Sequence, residues 1–97
     1  MNAKLFIASW KSIRMKRMIE YCLQFDDWFS FNDLVDKSCE QAIAAKQKGT
    51  KYLGSPNSAR KAAMHLIAIG FLIIDPTYGV RVNKEFIPKS QQGRKIL

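Results

Sequence analysis

Apolar residues recur at steps of three and four between Lys11 and Phe25: Met15, Met18, Ile19, Cys22 and Phe25. One stripe at that spacing predicts a helix, with Lys11, Arg14, Lys16 and Arg17 mostly off it. Before it, Phe6, Ile7 and Trp10 are apolar enough to pack, either as a short helix or as a lead-in. Asp26-Asp27 breaks the pattern. "WFSF", residues 28–31, is short, aromatic and β-prone, which suits a strand of a single bridge. Ser30 stands three residues before Asp33, so it caps a second helix. Leu34, Val35, Ser38, Cys39, Ala42, Ile43 and Ala45 lie along that helix, expected to end near Lys48 with Gly49 as its stop.

A loop, about Gly49 to Gly54, precedes Ser55 and Pro56, which suit the N-cap and first position of a third helix. Ala59, Ala63, Leu66, Ile67 and Gly70 fall on one of its faces. Asn57, Lys61, Met64, His65 and Ala68 fall on the other, flanked by Ser58 and Arg60. Gly70 suits a helix end. "FLIID" and "VRVN" are β-branched runs joined by "PTYG", a turn with Pro first and Gly last, so a hairpin follows at once.

Three stretches carry a resemblance to a known family: "WFSFNDLVDKS", "SPNSARKAAMHLIAIGFL" and "IIDPTYGVRV". Their order resembles the winged helix-turn-helix family of DNA-binding domains over roughly residues 11–83. The resemblance implies a small α+β domain with three helices, a short strand and a C-terminal β-hairpin wing. Residues 1–97 are then one domain, with 11–83 as its core and 84–97 as a basic tail. Two places depart from the family pattern. The loop before the third helix is longer than the usual tight turn. Asp33 and Asp36 open the second helix, where the family often approaches phosphate.

Charge sharpens this picture. The 97 residues are 47% hydrophobic, enough for one modest core, and carry a net charge of +8. Such a charge favours a polyanionic partner. It is also unevenly spread. Glu20, Asp26, Asp27, Asp33, Asp36 and Glu40 lie close together, opposed between Glu20 and Glu40 by Lys37 alone. From Gln41 to Ile74 there is no acid, whereas Lys46, Lys48, Lys51, Arg60 and Lys61 all fall there. A molecule with one acidic and one basic side is expected. Cys22 and Cys39 have no metal-ligand or CxxC spacing and are expected as two buried free thiols, with a single disulfide as the alternative. The run Leu5 to Ala8 is too short for a signal segment, and no stretch approaches membrane-spanning length, so a cytoplasmic protein is expected, nucleoid-associated when bound to DNA.

Little in the chain suggests catalysis. His65 is the only histidine and has no acid or thiol at helical spacing. Asp26-Asp27 suits a solvated turn better than a catalytic pair. No phosphate-binding glycine loop or metal-ligand cluster is present, so no catalytic residue, metal or cofactor is expected and the chain is not read as an enzyme.

Binding has positive support. Asn57, Lys61 and His65 stand one turn apart, where Asn can pair with adenine and Lys with guanine in the major groove. Ser58 flanks them, and Arg60, Lys46, Lys48 and Lys51 suit phosphate contacts. Thr77, Tyr78 and Arg81 in the hairpin suit the backbone or minor groove. Trp10 and Trp28 are read as core aromatics ahead of base-stacking surfaces. The expected function is sequence-specific binding of double-stranded DNA, as a small transcriptional or replication regulator reading with helix 56–69. The alternative is a winged-helix protein-interaction module, such as a phage- or plasmid-encoded inhibitor, docking a basic partner on Asp26–Glu40. For the DNA-binding reading a homodimer is expected to be possible, since the family commonly reads two half-sites, with Leu5, Phe6, Ile7 and Trp10 as the candidate seam.

Overall fold

A computed structural model describes residues 2–47 and 56–88 of the chain, and in it three short polar side chains start helices. Asn2 Oδ1 accepts the Leu5 N–H at 3.1 Å and opens α1 (Ala3–Ala8). Ser12 Oγ accepts the Met15 N–H at 3.3 Å and opens α2 (Ile13–Cys22). Ser30 Oγ accepts the Asp33 N–H at 3.2 Å and opens α3 (Phe31–Gln47), as its spacing predicted. Each bond satisfies an amide that the helix itself leaves unpaired. α4 (Pro56–Ala68) begins at the expected proline, and β1 (Leu72–Asp75) and β2 (Gly79–Val82) complete the described elements. The expected helical end near Lys48 and Gly49 and the Ser55 cap lie outside the described residues.

The domain is therefore α+β, with four described helices where three were expected. The added one is α1, and it is part of the core. Phe6 is 4% exposed, and its ring meets Phe71 at 5.1 Å and Phe86 at 5.2 Å. Phe86 and Pro88 are buried too, so packing reaches past residue 83 to the end of the described chain. Phe86 completes an aromatic cluster that residues 11–83 leave open. Most of the expected tail, residues 89–97, lies outside the described residues.

α2 ends earlier than its apolar stripe. The Gln24 N–H donates to Tyr21 O and the Phe25 N–H to Cys22 O, both at 3.2 Å. These tighter i to i−3 bonds close the last turn. They turn Phe25 onto Phe29, with ring centroids 4.5 Å apart and nearly parallel planes. Phe25 thus serves the core from outside the helix.

Phe29 forms the expected single bridge. Its N–H donates to Val80 O at 2.7 Å, and its carbonyl accepts the Val80 N–H at 2.9 Å. It lies alongside β2, which pairs antiparallel with β1 from Leu72↔Val82 to Asp75↔Gly79. In the connecting turn, Asp75 Oδ1 accepts the N–H groups of Thr77 and Tyr78 at 2.8 and 3.1 Å. Gly79 follows with φ +99°, and a Cβ there would overlap the Phe29 carbonyl. Glycine is needed at this position for both its backbone angle and its lack of a side chain.

The end of α4 places the hairpin. Gly70, at φ +91°, donates its N–H to Ile67 O, and Phe71 donates to Leu66 O, both at 3.0 Å. This is the Schellman arrangement, in which the residue after the glycine packs back on the helix. Phe71 and Leu66 are accordingly both buried. Asn83 then ties the end of the hairpin to the end of α4. Its N–H donates to Phe71 O at 2.9 Å and its Nδ2 to Gly70 O at 3.1 Å.

Candidate nucleic-acid interface

α4 is packed on a face of small and branched residues. Ala59, Ala63 and Leu66 have no exposed surface, and Ile67 is half-buried against the core. The opposite face carries Asn57, Lys61, Met64, His65 and Ala68, all exposed, with Ser58 and Arg60 beside them. The two faces fall where the apolar spacing predicted, and the outward row contains no acid.

Some outward side chains already have neighbours. Arg60 Nη1 donates to Asn57 Oδ1 at 3.2 Å, one turn back along the helix. The Asn57 amide oxygen retains a second acceptor site and its NH2 both donors. The His65 ring stands edge-on to Trp10, with centroids 5.7 Å apart. α4 is thereby braced against the segment between α1 and α2. Trp10 Nε1 and Arg14 Nη2 are buried with no hydrogen-bond acceptor among the described residues.

Of the expected phosphate contacts, Lys48 and Lys51 and the side chain of Lys46 lie outside the described residues. So do the side chains of Ala42, Ile43 and Ala45. The hairpin residues are in view: Thr77, Tyr78 and Arg81 are exposed, Tyr78 by 63%.

Trp28 is the principal correction among the candidate residues. It is not a core aromatic. Phe29 takes the inward position at the bridge, and strand alternation turns Trp28 outward. There its ring lies 5.7 Å from that of Tyr78, and the Arg81 guanidinium sits over it at 5.1 Å. Adjacent aromatics in a short strand point to opposite faces, so the outward position of Trp28 or Phe29 was legible, but not which of the two. The candidate dimer seam is corrected as well. Phe6 is buried in the core, and Ile7 and Trp10 pack against it, leaving Leu5 alone of the four largely exposed.

The acidic residues Glu20, Asp26, Asp27, Asp33, Asp36 and Glu40 are all exposed. Lys37 reaches Glu40 at 3.9 Å. Between α2 and α3, an open groove is lined by Arg17, Glu20, Tyr21, Gln24, Lys37 and Gln41. Burial raises the pKa of Tyr21 above the usual phenol value, aided by Asp33, Cys22 and Glu40. Both cysteines are free, but only Cys22 is buried. Cys39 is partly exposed, a correction to the expected pair of buried thiols. Burial pushes the Cys22 thiol up to about 12, which makes it inert at neutral pH.

Among the described residues, no three His, Cys, Asp or Glu side chains group to hold a metal ion. No described helix is long and apolar enough to cross a membrane. Comparisons with protein-family models, curated proteins and solved structures gave no match for this chain.

Proposed function

We propose that the protein is a winged-helix, sequence-specific binder of double-stranded DNA, acting as a small transcriptional or replication regulator and not as an enzyme. In this reading α4 enters the major groove and the β1–β2 hairpin is the wing. The observation that carries it is the division of α4. Its Ala59–Ala63–Leu66 face is fully buried, and its outward face presents Asn57, Lys61 and His65 at successive turns with no acid between them. A helix held in this way can approach base edges without a phosphate-repelling charge of its own. Arg60, Lys46, Lys48 and Lys51 take phosphates, and Thr77, Tyr78 and Arg81 follow the backbone or minor groove.

The test is an anisotropy titration of random and selected duplexes across salt. The expected result is binding that weakens steeply with salt, with a log–log slope of about −0.9 per phosphate neutralised. Absence of binding even at low salt rejects the proposal. The second reading, a protein-interaction module docking a basic partner, is favoured by the exposed acids from Asp26 to Glu40, including Asp33 and Asp36 at the start of α3. It takes over if duplex binding is absent.

A further inference from the structure

We infer that Trp28, Tyr78 and Arg81 form a stacking platform for an unpaired nucleobase, so that the protein favours DNA with a single-stranded overhang over blunt duplex. The inference rests on the proposed DNA-binding function and adds a class of ligand to it.

Three elements converge on this surface. Phe29 bridges to Val80, which places Trp28 beside Arg81 on the outer face of the sheet, and Ile73 pairs with Arg81 from β1. Tyr78 leans back from the turn onto Trp28, with only 34° between the ring planes. Its ring remains largely open to solvent. A base can therefore stack on the open face of the Tyr78 ring, an interaction tolerant of base identity because every base has a π-face. The platform is also pre-organised. Asp75 holds the amides of Thr77 and Tyr78, and Gly79 allows the close approach of Phe29. Little order has to be gained on binding.

Charge selects the ligand further. Asp26 and Asp27 are exposed just before Trp28 and disfavour a run of phosphates at that edge, so a duplex backbone that follows the wing passes its tip and not Trp28. A splayed nucleotide brings a neutral ring and a single phosphate, which Arg81 can meet. A cationic protein segment fits less well, because Arg81 already occupies the Trp28 face.

The experiment uses the full chain and one duplex in three forms: blunt, with a short adenine overhang, and with the same overhang made of abasic sites. The abasic form keeps the phosphates and removes the rings. The adenine overhang is expected to tighten binding roughly five- to hundredfold over both other forms at equal salt. Trp28→Leu is expected to abolish that gain, read as the ratio of tailed to blunt affinity, because the Tyr78 and Arg81 that it packs against also meet the duplex. A crosslinking overhang carrying 5-iodouracil, used on the unaltered protein, is expected to attach to Trp28 or Tyr78. This readout stands even if the variant folds poorly. Equal affinity for blunt and adenine-tailed duplex overturns the platform while the duplex-binding proposal survives, and would turn the aromatic surface toward a protein partner. So would an equal gain from the abasic overhang, or a crosslink elsewhere. Failure to bind any of the three forms overturns both proposals.

Discussion

Asn57 and Lys61 carry the proposed base reading, and their exposure makes the test clean. Replacing either with Ala should weaken binding to the preferred site by about 1–3 kcal/mol, with little change on random duplex. Thermal melts should be unaffected, because both side chains lie opposite the buried face of α4. Equal losses on preferred and random DNA would reduce them to phosphate contacts. Cys22 makes a different kind of prediction. Its folded pKa of about 12 stands above the ordinary thiol value of 9.0, so the folded state holds the proton more tightly than the unfolded chain. The associated stability is fully present below about pH 9 and is lost as pH rises toward 12, at up to about 1.4 kcal/mol per unit. Urea unfolding at about pH 8 and pH 10 should show this loss, and Cys22→Ala should show less of it. Equal pH dependence in the two proteins would place the alkaline sensitivity elsewhere, for example at Tyr21, whose pKa is also raised.

At the level of elements, α4 links the core to the proposed reading surface. Leu66 lies wholly inside, in one cluster with Ile19, Leu34 and Phe71. Leu66→Ala should cost about 2–5 kcal/mol, a large part of the stability of so small a domain. A thermal melt unchanged within error would contradict the burial of this face. Asn83 couples the hairpin to α4 through Gly70 O, and its Oδ1 also accepts the Glu85 N–H at 3.0 Å. Asn83→Ala should lower stability by about 1–3 kcal/mol in a urea melt, because it removes two side-chain bonds and leaves a carbonyl less satisfied. An unchanged midpoint would mean that Phe71 and Leu72 anchor the hairpin by themselves.

Across the whole molecule, the question is which side meets DNA. Removing Lys46, Lys48 and Lys51 together should weaken binding to all duplexes and make the salt slope shallower by about 0.9 for each phosphate no longer neutralised. Neutralising Asp33 and Asp36 should change binding little if α3 begins away from the duplex, because charges beyond about 8–10 Å are largely screened at physiological salt. Tighter binding after that neutralisation would place the start of α3 against the phosphate backbone. A triple lysine variant that binds as well as the parent, with the same slope, would reject the orientation and favour the protein-docking reading.

Local pattern was enough to find α4, the hairpin, the Ser30 cap and a short β-prone run at residues 28–31. In each case the deciding interactions lie within a few residues of one another or follow from periodicity. The two faces of α4 were legible for the same reason, since burying its alanine face fixes which side chains point outward. Three features were decided by packing that periodicity does not encode. Phe6 joined the core only because Phe71 and Phe86 meet it from the other end of the sequence. α2 stopped at Cys22, before its stripe ran out, and Phe25 was turned onto Phe29. Trp28 turned outward because Phe29 claimed the inward place opposite Val80. In a run as aromatic as "WFSF" either ring could fill the interior. Periodicity assigns neighbouring residues to opposite faces, but only the partner strand and the space beneath it decide which face is the inside.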